Sequence, residues 1–152
     1  MITEKTLKKL GAYKKQVDLF GRAFPEGIKA TRKGLQQSQA EGYQWTTVIA
    51  ELTQTRRSFW EDYINTWLAE EKSFLEKTWP LHRATAKAIH ALEKKTGQPA
   101  HNSPELKRRI EEKHSQASGE LTTIHSKKVM LAQYDLFLKW VKNMEEKNEG
   151  KK

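Results

Sequence analysis

The sequence predicts an all-α protein: an antiparallel helical bundle of four to six helices, with one or two long helices and no sheet. Three observations carry that reading. Apolar residues recur at steps of three and four along most of the chain, the spacing that places them on one side of a helix. Apolar and polar residues nowhere alternate over a strand-length run, and no Asn-Gly hairpin signal occurs. Only eight Gly and four Pro punctuate the 152 residues, so the helices between them are long.

The first stripe, Leu7, Leu10, Tyr13, Val17, Phe20 and Phe24, predicts one amphipathic helix with Thr3 as its N-cap. It ends near Phe24, because Pro25 disfavours the α conformation at the residue before it. Residues 25–44 predict a short helix around Ile28 and Leu35, weakened by Gly27 and Gly34, and a turn near Gly42. The strongest periodic segment follows, through Val48, Leu52, Phe59, Tyr63, Trp67 and Leu75, interrupted only at Arg56. It reads as one helix of about 30 residues or two joined end to end. Four of the five tryptophans (Trp45, Trp60, Trp67, Trp79) lie within 45–79, which marks this segment as the centre of the core.

Pro80 predicts a break or kink. The helix after it turns Leu81, Ala84, Ala88 and Leu92 inward and closes on Lys94, Lys95, Thr96 and the C′ glycine Gly97. Residues 97–103 (GQPAHNS) form the clearest loop, and Ser103-Pro104-Glu105 starts a helix with a capping serine, an N1 proline and a first-turn carboxylate. The last helix, unbroken from 104 to 146, would be about 60 Å long, with Gly119 as the expected bend. Residues 1–146 read as a single helical domain and 147–152 as a frayed basic tail.

Composition excludes several function classes. With no cysteine there is no disulfide framework, no thiol nucleophile and no Cys-ligated metal. No apolar run has the length of a signal peptide or the ~18 residues of a spanning helix, so the expectation is a cytoplasmic protein without a membrane span. No two of the five histidines stand three or four residues apart, and the single Glu111-x-x-His114 pair lacks the second copy a di-metal bundle needs. His114 reads as an ordinary exposed histidine. No nucleophile elbow, Walker loop or dinucleotide glycine motif occurs. The expectation is therefore no metal, no cofactor, no catalytic residue and no enzymatic activity.

Charge says more. The 28 Lys and Arg exceed the 19 Asp and Glu by nine, and the excess avoids the aromatic centre. Residues 45–79 carry four basic and six acidic side chains, whereas 1–44 carry nine against four and 80–103 four against one. Arg83, Lys87, His90 and Lys94 follow steps of four, three and four, within about 60° of one another on a helix, and Glu93 is the only acid between Lys77 and Glu105. Such a ridge suits a phosphate backbone, where each neutralised phosphate releases counterions. Lys95, Arg108, Arg109 and the cluster Lys29, Arg32, Lys33 are candidate extensions.

Residues 35–64 loosely resemble a helix-turn-helix, a turn at Thr53-Gln54 leading into Arg56 and Arg57 as candidate contacts. The apolar stripe running through 49, 52, 59 and 63 favours a plain helix instead. The favoured function is a non-enzymatic basic protein contacting DNA or RNA with little sequence specificity, as a small subunit of a nucleoprotein complex. The alternative is a helical scaffold or self-associating protein whose partner docks on Met130, Tyr134, Phe137, Trp140 and Met144 of the last helix. An anionic membrane surface fits least, because the aromatics read as core.

Overall fold

The structure, a computed structural model, describes residues 1–149. Six α-helices occur among them: α1 (Glu4–Leu10), α2 (Lys14–Ala23), α3 (Arg32–Ala40), α4 (Trp45–Thr55), α5 (Arg57–Thr96) and α6 (Pro104–Glu149). No strand or sheet is found among the described residues, so the fold is all-α as the spacing predicts. Ile2 and Ile28 form one isolated antiparallel bridge.

The chain that reads as one domain divides into two compact units. The first comprises Met1–Trp67 and the chain from Val129 onward, and the second is Leu68–Lys128. Both α5 and α6 pass from one unit into the other.

In the first unit, Thr3 caps α1 as expected: its hydroxyl accepts the Thr6 N–H at 3.3 Å while the Thr6 hydroxyl accepts the Thr3 N–H at 3.0 Å. The single helix expected over 3–24 is two helices. Gly11 adopts φ +92, a left-handed conformation that ends α1 and that residues with a Cβ rarely take. Gly27 is required more strictly. Its φ is +79, and a Cβ there would lie 2.6 Å from the Ile2 carbonyl oxygen, where the bridge to Ile28 pins the N-terminus.

The favoured uninterrupted helix through 45–79 is also overturned, because α4 and α5 are separated at Arg56, which is extended (φ −141, ψ 132). The hydroxyls of Thr53 and Thr55 donate to the Ala50 and Leu52 carbonyls at 2.6 and 2.8 Å, a side-chain bonding that bends a helix end. Arg56 then holds the joint: Nη2 donates to the Lys9 carbonyl at 3.1 Å, and the guanidinium lies 5.0 Å from the Phe59 ring centroid. A one-residue joint is not the three- or four-residue turn of a helix-turn-helix.

The core of this unit is an aromatic cluster. Tyr43 packs edge-on to Trp45 at 4.8 Å, Trp45 meets Phe137 at 4.9 Å, and Phe59 stacks on Trp140 at 4.2 Å. The polar groups of its rings are hydrogen-bonded. The Trp45 indole N–H donates to Ser38 Oγ at 2.7 Å, the Trp140 indole to Asp62 at 3.0 Å, and the Tyr43 hydroxyl to the Gln16 carbonyl at 3.1 Å. Burial, then the charge of Glu51, pushes the Tyr43 phenol above its ordinary range. The expected docking stripe is therefore part of this core: Tyr134, Phe137 and Trp140 are buried, and Met130 and Met144 pack against them half-buried. The placement of Trp60 and Trp67 in the core is likewise corrected, since both are exposed.

The second unit is an antiparallel helical hairpin. Its arms, the last 29 residues of α5 and the first 25 of α6, are joined through Gly97 and a short 3₁₀ turn over Ala100–Asn102. Pro80 lies inside α5 without ending it, and α6 runs past Gly119 without a break. The helix also continues through 147–149, where the tail was expected to begin, and Gly150 to Lys152 of that tail lie outside the described residues.

Candidate nucleic-acid interface

The hairpin buries little. Thr78 and Ala100 are its only buried residues, and the seam between its arms is half polar. Phe74 stacks on the His125 ring at 4.3 Å, and His125 Nε2 sits 3.1 Å from Glu71 Oε1. Further along, His114 Nδ1 lies 2.9 Å from the Thr85 hydroxyl, and the His82 and His114 rings are 4.8 Å apart. His114 is thus half-buried in the seam, not an ordinary exposed residue. The inward face of α5 here is Leu81, Thr85, Ile89 and Leu92, while Ala84 and Ala88, expected to face inward, are exposed.

That rotation leaves the basic ridge in solvent. Arg83, Lys87, His90 and Lys94 are all exposed along about 16 Å of α5, and Lys95 is exposed in the last turn. Glu93, the one acid in this stretch, is turned elsewhere: its Oε2 accepts the Ala100 N–H at 2.9 Å and so ties the connecting loop to α5. No ion pair involves any of the five ridge residues among the described residues. The Arg83 guanidinium lies 5.9 Å from the Trp79 ring centroid, at the reach of a cation–π contact.

The other candidate cations are mostly spent. On α6, Arg108 pairs with Glu112 at 3.1 Å and Arg109 with Glu105 at 3.3 Å. These exposed i,i+4 pairs contribute about 0.3–0.5 kcal/mol each and cancel the charge that would extend the ridge. In the first unit, Arg32 is forked on Asp135, Arg57 pairs with Glu61 at 3.0 Å, and Arg56 caps α1. Lys29 and Lys33 remain exposed in that unit. Within the hairpin, two lysines escaped sequence reasoning. Hydrogen-bond contact with Lys128, then its charge, holds the Lys77 ammonium below the ordinary lysine range. Their proximity arises from the pairing of two arms, which spacing within one helix does not reveal.

A second surface escaped it too. Leu68, Leu75 and Trp79 are 52%, 61% and 61% exposed and line a groove of about 1050 Å³ with Lys72, His82 and Arg83. These apolar residues carry the same stripe as the core segment, so periodicity alone assigns them inward. Trp79 is exposed, whereas Trp140 is buried.

No three His, Asp or Glu side chains converge among the described residues, and no described helix is long and apolar enough to cross a membrane. The site defines a helical hairpin with one unopposed cationic edge. Comparison with family models, with curated proteins and with solved structures gives no match for this chain.

Proposed function

We propose that this protein is a non-enzymatic, cytoplasmic nucleic-acid-binding subunit. Arg83, Lys87, His90 and Lys94 on α5 contact a phosphate backbone with little sequence preference, within a larger nucleoprotein complex. One observation carries the reading: the ridge is exposed and unpaired while Glu93, its one neighbouring acid, is engaged by the Ala100 N–H. Phosphates along one DNA strand advance about 3.4 Å each along the axis, so a ridge of about 16 Å spans roughly four or five of them. Trp79 beside Arg83 adds a ring face on which an unpaired base can stack.

The test is a fluorescence-polarisation titration of labelled duplex DNA and single-stranded RNA with the full chain at low salt. Binding that is lost in the Arg83→Glu/Lys87→Glu/Lys94→Glu variant supports the reading. Absence of affinity for either probe at low salt overturns it.

A further inference from the structure

We propose that the groove on α5 is the contact face for a second copy of this chain, the two α5 helices lying antiparallel. Leu68, Leu75 and Trp79, together with Lys72, His82 and Ala86, follow the alternating steps of three and four that make a coiled-coil seam, and all six are exposed. A hairpin with two buried residues leaves this apolar strip without cover of its own.

Charge and register point to a second copy as the occupant. A twofold axis passing near Lys77 sets Leu75 against the partner copy's Trp79 twice, and Leu68 against Ala86 twice further out. In an antiparallel seam, like-named flanking positions face each other. Glu76 and Arg83 hold the same flanking position one heptad apart, so this register brings each Glu76 carboxylate to the other copy's Arg83. Both side chains are exposed and neither has an ion-pair partner among the described residues. A parallel arrangement would instead set Glu76 against the other copy's Glu71, two carboxylates, and leave Arg83 facing Thr78. The flanking charges are therefore complementary to those of the reversed copy, while Lys72 faces His82 between the two apolar layers. Lys87, His90 and Lys94 lie outside the seam, whereas Arg83 and Trp79 lie in it, so a dimer of this kind leaves those three residues, and not Arg83, to a phosphate backbone.

Sedimentation velocity of the full chain over a concentration series tests it. The expected result is a monomer–dimer equilibrium in which Leu75→Glu raises the dissociation constant at least about tenfold while the circular dichroism spectrum is unchanged; Trp79→Ala provides a second apolar truncation. Glu76→Arg and Arg83→Glu each weaken the dimer alone, yet an equimolar mixture of the two variants associates, because each flank of the mixed dimer again sets an arginine against a glutamate. A chain that stays monomeric at all concentrations overturns the proposal. So does a dimer indifferent to Leu75→Glu, or a mixture no stronger than either variant alone.

Discussion

Arg32 of α3 grips Asp135 of α6 with two nitrogens, Nε lying 2.6 Å from Oδ1 and Nη2 on Oδ2. The arginine that sequence spacing offers to a phosphate is thereby committed inside its own unit. A planar fork matched to a carboxylate is the strongest geometry an arginine pair adopts, although both side chains here remain about half exposed.

That fork predicts a pH dependence. The hydrogen bonds from Arg32 hold the Asp135 carboxyl below its ordinary value near 3.8, against a smaller opposing effect of burial. A depressed folded-state value means that the stabilisation is present above the unfolded value and is lost as pH falls through the folded one. Asp135→Asn should therefore be less stable than the parent at neutral pH, and the gap in urea midpoint should close below about pH 4. A gap that persists unchanged to pH 2 would show that the fork contributes nothing electrostatic.

Phe137 distinguishes core from docking surface. It is fully buried against Trp45, so Phe137→Ala should cost about 3–5 kcal/mol in urea unfolding of the first unit. A residue that served only as a docking contact would leave stability unchanged when truncated.

Gly119 tests the continuity of α6. It lies inside the helix, exposed, with nothing within 4 Å of where a Cβ would stand. Gly119→Ala should raise stability by about 0.5–1 kcal/mol, since the change removes backbone entropy from the unfolded chain without strain. Loss of stability would indicate that the helix bends there and needs the glycine.

The helices, the loop at 97–103 and the ridge at 83–94 were legible because each depends on local spacing and caps. The break at Arg56 was half legible: the stripe marks it as the one interruption, but the extended residue resets the helical phase. Phe59 therefore faces in and Trp60 out, although both lie in the segment expected to form the centre of the core. Assignment of Leu68 and Leu75 to a core failed for a different reason. Periodicity reports that a face is apolar, and only tertiary packing decides whether another element covers it. The docking stripe on α6 failed in reverse, because α3 and α4 come back to cover Tyr134 and Phe137.

The ridge remains the central claim, and salt dependence tests it most directly. Binding constants of the full chain for a short DNA duplex should be measured at several salt concentrations, for the parent and for the Arg83→Glu/Lys87→Glu/Lys94→Glu variant. If the ridge neutralises three or four phosphates, the parent should give a log–log slope of about −2.7 to −3.6 and the variant a slope near zero. A matched Lys29→Glu/Lys33→Glu control should keep the parent slope. Equal slopes for parent and ridge variant, or a slope lost only in the control, would contradict the assignment of binding to α5.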